Sequence, residues 1–175
     1  MTQAEYLQQG MSFLHAALRD ARNANPEQLH FTPDEGGHSV AWVLWHAARV
    51  EDSIIHRVAQ EKDVVWKQSD YAARSGLPLK GIGTGQAPEE AQQVHIDDMK
   101  VFSEYAEAVA KATEAYLSDV SPAELEREVQ VGERTETIGG AILLHLITHL
   151  NGHRGEINAI RGVQGLSPVV PNLGG

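Results

Sequence analysis

The sequence predicts an all-α protein, built as a four-helix bundle. Apolar residues recur at helical spacing in four long stretches, and we find no convincing strand with sustained alternation of apolar and polar residues. A chain of 175 residues suits one domain that buries a substantial core. We therefore predict a single domain over residues 1–165 and a Pro/Gly-rich tail over residues 166–175.

The first two helices are marked by their periodicity and by the residues at their ends. Helix 1 is predicted over residues 3–23, and Asn25 and Pro26 end it because proline pushes the preceding residue out of the helical region. Residues 27–37 are predicted to form a loop. Ser39 is then a suitable cap for helix 2, which extends to about residue 60.

Residues 61–87 differ from the rest of the chain because they show no sustained helical period. They contain Trp66, Tyr71 and a glycine-rich run at residues 81–85. A loop this long in a compact domain is uncommon and often serves as a lid or a binding loop. The alternative is a connector that is packed by a few of its own side chains.

The second half of the chain supplies the two remaining helices. Helix 3 is predicted over residues 88–119, and the capping-box pattern at residues 121–124 predicts a short extra helix. Residues 127–136 are interpreted as an extended link rather than as part of a sheet. Thr137 is the predicted cap of helix 4, which covers residues 138–161. The long link between helices 2 and 3 allows those two helices to run parallel.

Composition argues against several classes of function. The net charge is −10, with 14 Lys and Arg against 24 Asp and Glu, and no basic stripe that would dock on nucleic acid. The chain contains no cysteine, which excludes disulfides, thiolate ligands and a cysteine nucleophile. The sequence shows no signal peptide, and no stretch approaches about 20 apolar residues. We therefore expect a cytoplasmic protein that has no membrane or nucleic-acid partner.

Three histidines recur at four-residue spacing in helix 4: His145, His149 and His153. At about 100° per residue, His149 and His153 project within roughly 40° of each other, on the face that a bundle would bury. His46 points to the core side of helix 2 by the same argument. Neutral imidazole is the commonest protein ligand for metals, so these residues are candidate ligands. The alternative is a core that happens to be rich in histidine.

Known metal motifs narrow the kind of site. A zinc-protease signature needs a glutamate directly after the first histidine, but Leu146 and Leu150 follow His145 and His149. A di-iron centre needs Glu-x-x-His on core helices, and this spacing occurs only in the predicted loop before helix 2. What remains is a mononuclear site with one imidazole from helix 2 and two from helix 4. Three protein ligands leave coordination positions open, as catalytic sites do.

The chain resembles the DinB/YfiT-like family of metal-binding four-helix proteins. The similarity rests on residues 39–46 (Ser-Val-Ala-Trp-Val-Leu-Trp-His), on residues 149–157 (His-Leu-Asn-Gly-His-Arg-Gly-Glu-Ile), and on the Gly-Thr-Gly loop before helix 3. The resemblance implies that His46, His149 and His153 bind one divalent ion, commonly zinc or nickel. It also implies an up-down-down-up bundle and frequently a homodimer. Relatives include transferases and isomerases that use small thiols such as mycothiol, bacillithiol or glutathione.

Two positions depart from the family pattern. Glu156 stands where the family often has glutamine, and Gly152 stands where it often has an additional histidine. Glu156 is our candidate catalytic residue, and three roles are open for it: an acceptor that fixes an imidazole N–H, a fourth ligand, or a general base. The acceptor role is favoured. His145 could line the pocket or replace a ligand, and it ranks below the triad.

Three functional hypotheses follow. The first is a metal-dependent S-transferase that joins an external small thiol to a small electrophile, since the chain itself has no thiol. The second is a metal-dependent hydrolase. The third is a non-enzymatic, stress-related protein that binds a metal or a small molecule. Helix 4 is apolar away from its histidines, at Leu143, Leu144, Ile147 and Leu150, so that face needs a cover. Either helix 1 and the tail provide the cover or a second subunit does, and we expect a homodimer.

Overall fold

The computed structural model describes residues 1–33, 36–78 and 80–170, in which four long helical stretches form a bundle. Bundle helix 1 is α1 (Gln3–Ala21), bundle helix 2 is α3 (Val40–Asp52) with a π-helical continuation (Ser53–Ala59), and bundle helix 3 is α7 (Met99–Asp119). Bundle helix 4 joins α9 (Ile138–Ala141), a π-helical segment (Ile142–Thr148) and α10 (His149–Val163). The short helices are α2 (Pro26–His30), α4 (Val65–Gln68), α5 (Tyr71–Ser75), α6 (Pro88–Ala91) and α8 (Pro122–Leu125). The prediction of a mainly helical bundle is confirmed.

The direction of each bundle helix follows from pairs of residues that meet across helices. Bundle helices 1 and 3 are antiparallel, as shown by the pairs Arg19–Glu107 and Gln8–Ser118. Bundle helices 2 and 4 are also antiparallel, as shown by His38–Glu156 and His46–His149. Bundle helices 1 and 4 are parallel, as shown by Gly10–Ile147 and Phe13–Arg154. The order is therefore up-down-down-up, as expected.

The predicted caps form, because each offers a side-chain oxygen to an unpaired N–H group of the first helical turn. Ser39 accepts from the Trp42 N–H at 3.1 Å, and Thr137 accepts from the Gly140 N–H at 3.1 Å. The loop predicted over residues 27–37 begins instead with the short helix α2, which is capped by Asn25.

The region predicted as a loop over residues 61–87 contains the helices α4 and α5. Trp66 is fully buried, and its ring lies 4.6 Å from that of Tyr105 on bundle helix 3. The buried Asp52 carboxylate accepts hydrogen bonds from the Val65 and Trp66 N–H groups, which fixes the start of α4. Residues 61–78 thus fit the alternative of a packed connector, and these aromatic residues belong to the core.

Bundle helix 3 begins at Met99 and not at residue 88 as predicted. Asp98 caps it, because its carboxylate accepts hydrogen bonds from the N–H groups of Lys100 and Val101, both at 3.0 Å. Just before this cap, the Ile96 N–H donates to His30 Nε2 at 3.1 Å. These competing bonds separate α6 from the long helix, although the hydrophobic period continues through both.

Replacing the Asp98 cap by alanine is expected to lower the free energy of unfolding by about 1 kcal/mol, because two N–H groups of the first turn lose their acceptor. Urea unfolding followed by circular dichroism measures the effect. Asp97→Ala is the matched control, since its exposed neighbouring carboxylate makes no cap. Equal losses in the two variants would contradict the assignment.

Residues 127–136, interpreted as an extended link, instead contribute most of a two-stranded antiparallel hairpin. Strand β1 (Glu128–Val131) pairs with strand β2 (Arg134–Thr137), with Val129 opposite Glu136. Gly132 in the turn has φ +62°, a left-handed conformation that glycine adopts without strain. Val129 is buried, so the hairpin covers one end of the bundle core.

The described part of the tail, residues 166–170, lies against bundle helix 4. The Val169 N–H donates to Asn158 Oδ1 at 2.8 Å, and the Val169 side chain is buried. The remaining predicted tail residues, 171–175, are outside the described part of the chain, and a domain boundary at residue 165 stays a prediction. Among the described residues, no helix has both the length and the apolar character needed to cross a membrane.

Candidate metal centre

The structure brings the three predicted ligands together where bundle helices 2 and 4 face each other. His149 Nε2 lies 3.4 Å from His46 Nε2 and 3.0 Å from His153 Nε2. One candidate ligand atom from each residue can be chosen so that all three lie within 4.8 Å of one another. These three residues could therefore hold one metal ion.

His46 is presented by bundle helix 2 and held by the glycine-rich run. Its Nδ1 donates a hydrogen bond to the backbone carbonyl of Ile82, which leaves Nε2 to face the other two imidazoles. Burial, with a smaller effect of the neighbouring histidines, lowers the pKa of His46 to about 4, although the Ile82 carbonyl opposes this shift. At neutral pH His46 is therefore the uncharged form that a metal requires.

His149 and His153 lie one turn apart on bundle helix 4. His153 Nδ1 lies 2.7 Å from a carboxylate oxygen of Glu156, and the backbone of His145, next to the His149 ring, raises the pKa of His149 against the effect of burial. Burial, reinforced by the nearby His153, lowers the pKa of His149. Both residues thus direct Nε2 inward.

The hydrogen bonds of the outer nitrogens make the donor set suitable for a cation. A neutral imidazole carries one proton, and an acceptor beside Nδ1 places that proton on Nδ1. Each Nε2 then presents a lone pair, and three lone pairs that converge within this distance repel one another unless a cation lies between them. An outer nitrogen that an acceptor orients, as in His46 and His153, is typical of protein metal sites.

Glu156 lies between two histidines and does not reach into the cluster. One carboxylate oxygen accepts from His153 Nδ1, and the other lies 2.7 Å from His38 Nδ1. Burial alone would raise the pKa of Glu156, but the two histidine hydrogen bonds outweigh it and lower the pKa. Of the three roles that were open, the geometry favours the acceptor that fixes an imidazole; a catalytic role for Glu156 stays a prediction.

His38 is a site residue that the sequence analysis did not select. Its ring stacks on Trp42 at 3.7 Å, and Trp42 in turn stacks on His46 at 4.7 Å. His38 precedes Trp42 by four residues and His46 by eight, and this helical spacing is the sequence signal that could have identified it as a site residue. His38 is also the histidine of one Glu-x-x-His spacing in the predicted loop before helix 2, and the glutamate of that spacing, Glu35, lies outside the described residues.

The glycine-rich run supplies a second group of residues that sequence reasoning missed. Gly83 has φ +91° and packs so closely on His46 that an added Cβ would lie 2.7 Å from His46 Nδ1. Three residues later, Gln86 Oε1 accepts a hydrogen bond from the Trp42 indole at 2.8 Å. The run therefore brings backbone against a candidate ligand, which only a residue without a side chain can do.

His145 does not join the cluster through its ring. Its Nε2 lies 3.0 Å from a carboxylate oxygen of Glu136 on strand β2. His145 lies in the π-helical segment, which has more residues per turn than an α-helix. The rotation of 100° per residue therefore does not give the angle between His145 and His149 around the helix axis. The backbone of His145, not its ring, lies next to His149, where it raises the pKa of His149 against the effect of burial.

Replacing Glu156 by alanine is expected to weaken metal binding by roughly 10–100-fold, because His153 loses the acceptor that orients its ring. Chelator competition with zinc measures the affinity. Glu156→Gln retains an acceptor oxygen and should fall between the wild type and the alanine variant. Glu133→Ala, in the exposed hairpin turn, is the control. An unchanged affinity in Glu156→Ala would contradict the role assigned to the carboxylate.

The fold is also found in a solved structure. A conserved protein from Enterococcus faecalis matches this chain with a TM-score of 0.81 and 20% sequence identity, over 93% of this chain and 97% of the other. The comparison with functionally curated proteins gave no match. The family model described as the DinB superfamily matches residues 9–157, which is most of the chain. This protein therefore belongs to the DinB superfamily.

Proposed function

We propose that this protein is a metal-dependent enzyme, most simply an S-transferase that joins a small external thiol to a small electrophile. The observation that supports this proposal is the convergence of three Nε2 atoms, with the outer nitrogens of His46 and His153 held by hydrogen bonds. Among the described residues the candidate ligand group consists of three histidines, and three protein ligands correspond to a catalytic type of zinc site rather than a structural one.

His46, His149 and His153 would hold the ion, which we propose to be zinc or nickel. When bound, such an ion lowers the pKa of a thiol or of water and so supplies a nucleophile at neutral pH. The thiol must come from outside, because the chain has no cysteine. Glu156 and the Ile82 carbonyl keep the rings of His153 and His46 in position, and Trp42 with Gln86 forms one wall beside them.

A transfer assay tests the proposal. Purified protein loaded with zinc or nickel is mixed with 1-chloro-2,4-dinitrobenzene and, in turn, with glutathione, cysteine or no thiol. We expect conjugate formation that requires both metal and thiol and that His149→Ala abolishes. Metal-dependent release of 2,4-dinitrophenol and chloride without thiol would support the hydrolase instead. Metal binding without either reaction would contradict an enzymatic role and support a binding protein.

We also propose a homodimer that covers the apolar side of bundle helix 4. Leu150 is buried within the chain, but Leu143 and Leu144 each keep 49% of their surface exposed. Sedimentation equilibrium should give twice the mass of the chain, and Leu143→Glu with Leu144→Glu should shift the equilibrium to monomer. A monomeric wild type at high micromolar concentration would contradict this proposal.

A further inference from the structure

An open groove with an excess of positive charge runs along bundle helix 2 beside the candidate metal centre. We call it the basic groove. Five basic residues line it, against three acidic ones, in a protein whose net charge is −10. The basic residues are Arg49, Arg57, Lys62, Lys67 and Lys80. This concentration of cations is local and needs an explanation other than overall composition.

The cations at the edge of the basic groove are not neutralised by the chain itself. Within the described residues, no carboxylate lies within ion-pair distance of Arg57, Lys67 or Lys80. Glu61, one of the three acidic residues, instead faces Arg127 at 3.6 Å. The exposed cations therefore remain available to an anionic ligand, and a groove of this kind raises its local concentration.

Arg49 forms the buried part of the basic groove and has unused hydrogen-bonding capacity. It is only 5% exposed, and its guanidinium lies 4.9 Å from the centre of the Trp66 ring. One nitrogen donates to the Gly81 carbonyl at 3.0 Å, whereas Nε and another terminal nitrogen have no hydrogen-bond partner. That terminal nitrogen lies 3.8 Å from the buried Asp52 carboxylate, which is within ion-pair distance. Arg49 thus keeps donors without a hydrogen bond at the buried side of the groove, and leaving such donors without a partner is costly.

The basic groove and the metal centre share a wall. Arg49 follows His46 by three residues on bundle helix 2, so both project from the same side of that helix. Two consecutive backbone carbonyls hold them, since Gly81 accepts from Arg49 and Ile82 accepts from His46. The groove therefore adjoins the segment that holds His46, because Gly81 and Ile82 line it.

We infer that the basic groove binds the carboxylate or phosphate group of the small molecule on which the metal centre acts. The identity of that molecule as a substrate rests on the proposed function, whereas the affinity of the groove for anions does not. Planar carboxylate and phosphate oxygens suit arginine donors, and lysines add charge at the rim. The substrate class is thus an anionic thiol or an anionic electrophile.

Binding is tested first on metal-free protein by ¹H–¹⁵N NMR titration, with succinate and inorganic phosphate as separate probes. We expect saturable shifts at the amides of Arg57, Lys67 and Lys80 with at least one probe. Succinate alone would assign a carboxylate, and phosphate alone a phosphate. The double variant Lys67→Gln, Lys80→Gln should bind at least tenfold more weakly, whereas Lys100→Gln, Lys111→Gln, on bundle helix 3, should bind as the wild type does. No saturation, or equal loss in both double variants, would overturn the inference.

A second measurement separates this inference from the proposed function. With metal-loaded protein, KM is compared between glutathione, which is anionic, and the uncharged thiol 2-mercaptoethanol. The Lys67→Gln, Lys80→Gln variant should raise KM for glutathione by at least tenfold and leave that for 2-mercaptoethanol unchanged. Anion binding without any turnover would support the groove and contradict the transferase. Turnover in which the variant changes KM equally for both thiols would support the transferase and contradict the groove as the site of the anionic group.

Discussion

Replacing Asp52 by alanine is expected to lower the free energy of unfolding by about 3–5 kcal/mol, the range for removing one partner of a buried charged network. The Asp52 side chain is fully buried and accepts hydrogen bonds from the N–H groups of Val65 and Trp66 and from the Tyr105 hydroxyl. It also faces His56 Nδ1 at 2.9 Å. Alanine would leave the buried N–H groups of Val65 and Trp66 without their acceptor. Urea denaturation followed by tryptophan fluorescence measures the loss.

The control for Asp52 is Asp20→Ala, which removes an exposed carboxylate on bundle helix 1. Exposed substitutions of this kind change stability by about 0.5 kcal/mol or less. If Asp52→Ala were no more destabilising than Asp20→Ala, the carboxylate would not be what joins α4 and bundle helix 3 to bundle helix 2.

Replacing Gly83 by alanine is expected to weaken metal binding by roughly 10–100-fold, because it disturbs the group that orients a ligand. An added Cβ would lie 2.7 Å from His46 Nδ1 and 3.1 Å from atoms of Trp42 and Trp45. The backbone would have to retreat, and the hydrogen bond from His46 to the Ile82 carbonyl would be lost. Competition between the protein and a chromogenic zinc chelator measures the affinity.

Gly85→Ala is a close control for this substitution. Gly85 also has a positive φ, +75°, but an added Cβ would meet nothing within 4 Å. Both variants carry the backbone strain of a left-handed alanine, and only Gly83→Ala collides with the ligand. An equal loss of affinity in the two variants would mean that strain in the loop, and not the contact with His46, sets the metal affinity.

The bundle could be predicted from periodicity, whereas the choice of His46, His149 and His153 as the triad rested on periodicity together with the family resemblance. The spacing of four residues between His149 and His153 places both rings on one face of any α-helix, whatever surrounds it. The α-helical spacing applies to this pair because both residues belong to α10. The π-helical segment before them carries no residue pattern that single-sequence reasoning detects, so the direction of His145 was not predictable.

The remaining features of the site depend on tertiary contacts that a local pattern does not encode. The acceptor for His46 is a backbone carbonyl 36 residues away, and the acidic partner of His38 is 118 residues away. The start of bundle helix 3 was misplaced because Asp98 and His30 compete for backbone N–H groups of a periodic stretch. The hairpin was not predicted because its strands have only four residues each, which is too short for a clear alternation of apolar and polar residues.

The central claim, that His46, His149 and His153 form one metal site, is tested most directly by elemental analysis of untagged protein. Wild type, His46→Ala, His149→Ala, His153→Ala and the control His145→Ala would be purified side by side, exposed to zinc and nickel, and desalted. We expect about one ion per chain in the wild type and in His145→Ala, and a loss of that ion in each triad variant. A wild type that stays without metal, or triad variants that bind as much metal as the wild type, would contradict the claim.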